Sequence, residues 1–396
     1  MSMRIVMTFP YALGLPGGGP RDCIQTAHHL KKAGAEVTLL TVTSHSTSRF
    51  PRPLTKEPFL GEQEKAQLEG NAIQVIRVPQ HPVHYMLDGL MVRKALQELL
   101  SKHPIDAVFG WHQEVAFLPK FLRSQGVLFG MISTMGNASE WYNGCHRFRK
   151  ILRNLTVVRP MRQADVIFAR SQFMRNLVID LFDVQEQRVH VAYAGVDPLF
   201  SQTQRTNSNE VTRLIFFSRF NPEKGVFEAL EALGKVAAQG RRNWTLKIAG
   251  WGDENQVRKV IQEQGIEDNV ELLGHLDHSV LERELGWAHL AILPSHAESF
   301  GLAFAEAQAS GLPVIGYDVG GVPEVVEKDV TAWLVPKGRV DLLAQSIIEA
   351  MDNPKRTFQM GLAGRERVIR MFTWQQTAET ILRCVEEIKK KRETDN

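Results

Sequence analysis

A chain of 396 residues, 43% hydrophobic and 23% charged, has the length for two domains and an ordinary water-soluble composition. A net charge of +3 gives no general attraction to nucleic acid, and three well-separated cysteines without a Cys-x-x-Cys pair point to neither a zinc site nor a disulfide framework. The first apolar run is too short for a signal peptide and no stretch reaches the about eighteen apolar residues of a spanning helix, so a cytoplasmic protein is expected, any membrane contact being peripheral.

Ile5 to Phe9 reads as a first strand, followed by a loop with Gly14 and Gly17-Gly18-Gly19, a helix over Arg21 to Ala33 and a second strand over Ala35 to Thr43. The glycines do not spell G-x-G-x-x-G and the second strand lacks a terminal acidic residue, which disfavours a dinucleotide dehydrogenase. Such a loop is either a tight turn or a ligand cradle. Ser44 to Gly70 is polar with no clear period and reads as a mobile loop, and His81-Pro-Val-His84 has no third ligand for a metal. Asp106 to Trp111 forms a strand ending at His112, at the carboxyl edge where ligands gather in open α/β sheets; a capping or core histidine is the alternative. After the strand Val127 to Ser133 comes an aromatic loop, Trp141-Tyr142. The segment from His146 to Arg175 is dense in cations (Arg147, Arg149, Lys150, Arg153, Arg159, Arg162, Arg170, Arg175) interleaved with Phe148, Ile151, Leu152 and Leu155. It reads either as a solvated helix face or as a contact with an anionic membrane. Polar Ser201 to Glu210 reads as a linker.

A new strand, Arg213 to Ser218, leads into Arg219-Phe-Asn-Pro-Glu-Lys224-Gly225. This is not a P-loop, but two cations five residues apart around a turn can clasp a diphosphate from two sides, unless they are plain surface charge. Leu246 to Gly250 and Val270 to Gly274 are strands ending in glycine, the second followed by His275 and Leu276. The apolar run Ala288 to Leu293 is a buried parallel strand that passes through Pro294-Ser-His-Ala-Glu298 to a helix, with Ser299 expected as its N-cap and Gly311 and Pro313 as its stop. Strand, loop and helix in this order aim the amides of Phe300, Gly301 and Leu302, and the positive end of a helix dipole, at an anion. Glu298 stands at the mouth of the loop and Glu306 about two turns into the helix, roughly 10 Å further along; both could also be simple helix-end charges.

Glu298 and Glu306, with Phe-Gly-Leu after the first and Ser310-Gly-Leu-Pro-Val-Ile315 after the second, resemble the signature of the retaining nucleotide-sugar glycosyltransferases of family 4, which have the GT-B fold. The resemblance implies an α/β chain of two doubly wound Rossmann-like domains facing across a cleft: an acceptor-side domain over 1–205, a nucleotide-sugar-binding domain over 206–373, and a final helix over 374–396 crossing back. It assigns Glu298 to the donor sugar's hydroxyls, Glu306 to the ribose, and Arg219 and Lys224 to the leaving diphosphate, with Phe300, Gly301 and Leu302 nearby. Gly18 and Gly19 face the diphosphate, Gly250 joins the donor contacts, and His275 and Leu276 lie against the base. The resemblance makes His112 the candidate for the family's histidine near the reacting carbon, although Trp111 occupies the usual register. No histidine follows Thr134, so the acceptor side, with Trp111, Trp141 and Tyr142, departs from the common pattern.

The implied reaction moves a hexose from a UDP- or GDP-linked donor to a hydroxyl acceptor with retained configuration. It needs no cofactor, and since no Asp-x-Asp occurs, metal independence is expected. A sugar-nucleotide epimerase of the same fold and a catalytically silent nucleotide-sugar-binding subunit are the alternatives. A glycosidase is disfavoured because Glu306 is too distant for a carboxylate pair flanking one bond.

Overall fold

The computed structural model describes residues 2–10, 13, 17–43, 70, 73–81, 87–134, 147–205 and 211–394. Trp141, Tyr142 and most of the expected loop from Ser44 to Gly70 lie outside the described residues. The chain forms two compact units, Met1–Gly195 with Trp374–Asn396, and Val196–Thr373.

The units part at Gly195, earlier than the polar segment expected as linker, because residues after it are bound into the second unit. Val196 pairs with Thr373 in a parallel bridge and donates its N–H to the Phe372 carbonyl at 3.0 Å. The Arg365 guanidinium reaches the carbonyls of Ser201 and Thr203, and Thr203 Oγ1 bonds Ser310 Oγ at 3.2 Å.

In the first unit, β1 (Arg4–Phe9), α1 (Gly18–Lys32), β2 (Glu36–Thr43), β3 (Gln74–Pro79), β4 (Ala107–Gly110), β5 (Leu128–Ser133), β6 (Val166–Ala169) and β7 (Val189–Val191) build a parallel seven-stranded sheet ordered β3-β2-β1-β4-β5-β6-β7. Short runs such as Ala107–Gly110 and Val166–Ala169 are buried on both faces, as parallel strands covered by helices must be. The strand order reverses between β1 and β4, where Met7 pairs with Phe109, and this switch point is where a doubly wound sheet opens a crevice at its carboxyl edge. The helix starts at Gly18, three residues before the expected Arg21, so Gly18 and Gly19 form its first turn.

The second unit holds β8 (Thr212–Phe217), α2 (Val226–Ala238), β9 (Trp244–Ala249), β10 (Val270–Gly274), β11 (Leu290–Leu293), α3 (Leu302–Ala309), β12 (Val314–Tyr317) and β13 (Ala332–Val335), with a six-stranded parallel sheet ordered β10-β9-β8-β11-β12-β13. Its switch point lies between β8 and β11, where Leu214 pairs with Leu290.

The last helix, α4 (Trp374–Thr394), packs on α1 of the first unit: Ala378, Ile381, Cys384 and Val385 share one apolar cluster with Cys23, Ala27 and Leu30.

The basic segment divides by environment. Arg170 is buried, bonds both oxygens of buried Asp22, Thr26 Oγ1 at 2.7 Å and the Ala192 carbonyl at 3.1 Å, so it is a structural cation and not part of a solvated face. A buried arginine of this kind needs every donor matched. Arg162 and Arg175 likewise tie down the carbonyls of Phe182 and Val189. The helical stretch 147–163, in contrast, exposes Ile151 by 56% and Leu155 by 49%. Among the described residues no helix is long and apolar enough to cross a membrane.

Candidate functional site

The loop leaving β8 is shaped by three residues. Asn221 accepts the Lys224 N–H on its side chain at 3.0 Å, Pro222 opens a single 3-10 turn, and Gly225 ends it in the left-handed region at φ 73°. At Gly225 a Cβ would stand 2.0 Å from the Pro294 carbonyl oxygen, so only glycine lets this loop lie against the exit of β11. The His296 N–H donates to the Glu223 carbonyl at 2.8 Å and closes the two loops on each other. Together they bring Lys224 Nζ to 2.6 Å from Glu298 Oε1, with both side chains largely shielded from water. A short, charge-assisted bond of this kind fixes both end groups before any ligand arrives.

Glu298 is also held through its backbone. Its carbonyl accepts the Gly321 N–H at 3.1 Å, and a Cβ at Gly320, whose φ is 55°, would stand 2.0 Å from the same oxygen. The N-cap of α3 is Gly301, left-handed at φ 101°, and not the expected Ser299; a left-handed glycine there turns the chain sharply enough to begin the helix two residues later. No side chain caps it, so the first amides of α3 have no intrahelical partner and point outward with the positive end of the helix dipole. Phe300 is a core residue, edge-on to Phe372 at 5.2 Å, so its ring is turned inward and cannot itself meet a ligand.

Arg219 is half-buried, and its guanidinium has no hydrogen bond or ion pair among the described residues. The structure therefore brings Arg219, Lys224, Glu298 and the start of α3 to one switch point. Glu306 is buried further down α3. Gly250 lies one strand away, where a Cβ would stand 1.8 Å from the Ser218 carbonyl oxygen; its N–H is committed to the Gly274 carbonyl at 2.7 Å. That glycine serves the close approach of the loops after β8 and β9, which also pair at Phe220 and Gly252. Exposed His275 and half-buried Leu276 follow β10, at the same edge but on the outermost strand.

His296 was not singled out from the sequence. Its Nε2 lies 2.6 Å from Glu228 Oε1 on α2, and its ring meets Tyr317 edge-on at 5.5 Å, so it braces the Glu298 loop from beneath. Burial, then the charge of Glu228, pushes the Tyr317 hydroxyl up to about 12, which keeps it neutral. A polar residue in the loop at the carboxyl end of a buried strand was the available signal.

The first unit's switch point carries Gly18 and Gly19 after β1 and Trp111 and His112 after β4. Gly19 packs near the Phe9 ring. Trp111 cannot present its indole to an acceptor as expected: it is 1% exposed and edge-on to Phe9 at 5.5 Å. The reason is that β4 stops at Gly110, and the next residue still points into the core before the chain bends at half-buried His112. Glu114, also not singled out from the sequence, is fully buried here. Its Oε1 accepts the Trp111 N–H at 2.7 Å and its Oε2 the His112 N–H at 3.0 Å.

Known proteins match this arrangement along nearly the whole chain. The family model described as Glycosyltransferase Family 4 matches residues 16–199, and that described as Glycosyl transferases group 1 matches residues 201–367. A glycogen synthase of Mycobacterium tuberculosis is 27% identical over 95% of this chain and 92% of its own. A GDP-mannose-dependent alpha-(1-6)-phosphatidylinositol monomannoside mannosyltransferase of the same organism is 26% identical over 76% of this chain and 81% of its own. The fold is shared with Anabaena Alr3699/HepE, solved in complex with UDP-glucose, at a TM-score of 0.75 and 18% identity over 97% of this chain and 99% of that one.

Proposed function

The chain belongs to the family 4 glycosyltransferases, and from that membership we propose that it transfers a hexose from a nucleoside diphosphate sugar to a hydroxyl group, with retained anomeric configuration and without a metal ion. The observation that carries this reading is the Lys224–Glu298 pair at the β8/β11 switch point, with unpaired Arg219 and the amino end of α3 beside it. As the bond from the anomeric carbon to the β-phosphate breaks, its electron pair stays on the phosphate oxygen. Arg219, Lys224 and the first amides of α3 stabilise the growing charge. Glu298 accepts hydrogen bonds from the sugar's hydroxyls and keeps Lys224 aimed at the phosphate. The acceptor oxygen then forms the new bond to the anomeric carbon, and its proton passes to the leaving phosphate. Glu306 holds the nucleotide ribose.

The names of the relatives support testing both bases, one being GDP-mannose-dependent and one a UDP-glucose complex. Incubation with UDP- and GDP-linked hexoses and a panel of hydroxyl acceptors should release nucleoside diphosphate only when an acceptor is present, and proton NMR of the product should show the donor's anomeric configuration. Donor turnover without acceptor would instead identify an epimerase, and saturable binding without turnover a silent subunit. With Arg219, Lys224 and the amino end of α3 proposed to neutralise the leaving diphosphate, the rate should be unchanged by EDTA. Loss restored by magnesium or manganese contradicts metal independence.

A lipid-linked acceptor is supported by the exposed pair Ile151 and Leu155, one turn apart among the cations Lys150, Arg153 and Arg159, a pattern suited to the surface of an anionic bilayer. That the related mannosyltransferase is named for a phosphatidylinositol mannoside supports a lipid-linked acceptor. The protein should sediment with anionic liposomes, and Ile151→Glu with Leu155→Glu should release it. A wild-type protein that stays in the supernatant points to a soluble acceptor.

A further inference from the structure

Glu114 occupies an unusual position for a carboxylate. It lies at the β1/β4 switch point of the first unit, 0% exposed, and no described lysine, arginine or histidine side chain forms an ion pair with it. Its oxygens are taken up by backbone and hydroxyl donors: Trp111 N–H at 2.7 Å, His112 N–H at 3.0 and 3.2 Å, and Thr8 Oγ1 of β1 at 3.4 Å. The fit around it is tight, since a Cβ on Gly110 would stand 3.1 Å from Oε1 and 2.1 Å from Val115. A turn of three residues needs no buried charge to close it. Serine, asparagine or glutamine accepts the same amides at a lower desolvation cost.

We propose that Glu114 is a positioning residue for the transfer reaction, whose ionised carboxylate clamps the amides of Trp111 and His112 and thereby fixes the strand-end segment that presents His112. The inference rests on the function proposed above.

The groups facing Glu114 leave its ionisation to these donors, and the segment 154–158 packed on the same turn brings no titratable side chain. From β1 comes the neutral Thr8 hydroxyl. From α1 comes buried Cys23, whose thiol burial, then Asp22, then Glu114 itself push well above its ordinary range. Arg170, which also acts on Cys23, is committed to Asp22. From the helix Asp88–Leu100 come Gly89, against the Glu114 carbonyl, and Asp88, which accepts the His81 N–H at 2.7 Å. Burial, partly offset by the Trp111, His112 and Thr8 bonds, raises Glu114 to about 7. Above that pH both oxygens accept and both amides are held. Below it one oxygen carries a proton, and the clamp on His112 loosens. Because the folded value exceeds the unfolded one, ionisation at this site works against stability as pH rises from the ordinary carboxylate range towards 7. A residue that costs stability where it is charged is the kind a fold keeps for function.

The test is the pH profile of wild type against Glu114→Gln, using the best nucleotide sugar and acceptor found in the screen. Wild-type kcat/KM for the acceptor should fall about tenfold per pH unit below roughly 7. Glu114→Gln keeps an oxygen for Trp111 but turns an amide donor towards His112 and cannot titrate. Its plateau should drop about tenfold, its acid limb should vanish, and its donor KM should change less than about twofold. A variant with an unchanged plateau and acid limb overturns the proposal, as does a wild type with no limb near neutrality. Failure of the functional reading looks different: wild type would then turn over no nucleotide sugar. A second readout needs neither activity nor a change at Glu114. In 15N-tryptophan-labelled wild type, with the peak assigned through Trp111→Phe, the Trp111 amide should shift with a midpoint near 7. An amide unmoved between about pH 5.5 and 8.5 overturns the clamp.

Discussion

Arg219→Ala and Lys224→Ala should each lower kcat by about 10²-fold or more, the usual cost of removing one preorganised donor to a developing anion. The two losses differ in kind. The Arg219 guanidinium bonds no described group, so its truncation leaves nothing unpaired and the melting temperature should stay where it is. Lys224 holds Glu298 at 2.6 Å, and its removal strands a carboxylate that is only 12% exposed, so Lys224→Ala should also weaken sugar recognition and cost some stability. If Glu306 holds the ribose as proposed, the contact is the same in ground and transition states, so Glu306→Gln, which preserves volume at a buried position, should mainly raise the donor KM. Glu298→Gln should fall between, with loss in both kcat and KM. Steady-state kinetics of the four variants decide the matter. If the two cation variants move only KM, those residues bind donor without acting on the leaving group.

Gly320→Ala should abolish most activity while leaving the protein folded. Two effects act on this substitution, and a control separates them. The first is the left-handed backbone at φ 55°, which costs an alanine about 1–2 kcal/mol. The second is the contact at 2.0 Å between the new Cβ and the Glu298 carbonyl oxygen, which neither backbone can accommodate without moving Glu298. Gly338, at φ 80° with nothing within 4 Å of a Cβ, carries the first effect alone. Gly338→Ala should therefore lower the melting temperature by a few degrees with activity intact. Gly320→Ala should lose about 10²-fold in kcat/KM through misplacement of Glu298. Equal activity in the two variants would show that the position of Glu298 is not critical.

What the sequence revealed and what it hid follow from locality. The short apolar runs of β4, β6 and β11 and the turn chemistry of Asn221, Pro222 and Gly225 are local features, and each could be read in place. The Lys224–Glu298 bond joins residues 74 apart and exists only because β11 inserts beside β8, a pairing no local signal specifies. Arg170 looked like one more cation in a basic stretch, yet its partner Asp22 lies 148 residues away on α1. Glu114 between Gln113 and Val115 carries no local sign of burial; it is β1 and the helix Asp88–Leu100 that close over it. The shift of the helix start from Ser299 to Gly301 shows a conformational effect overriding a side-chain preference: the chain turns at a left-handed glycine, and the serine cap goes unused.

The central claim is that Arg219, Lys224 and Glu298 form the seat of a nucleoside diphosphate sugar. Isothermal titration calorimetry of UDP-glucose, GDP-mannose and the corresponding free nucleoside diphosphates, on wild type and on Arg219→Ala, tests it without waiting for an acceptor. The account predicts saturable one-to-one binding of at least one base series, weakened about tenfold or more by Arg219→Ala at an unchanged melting temperature. Binding of the same strength in both proteins, or no binding of any of these nucleotides at millimolar concentration, would contradict it.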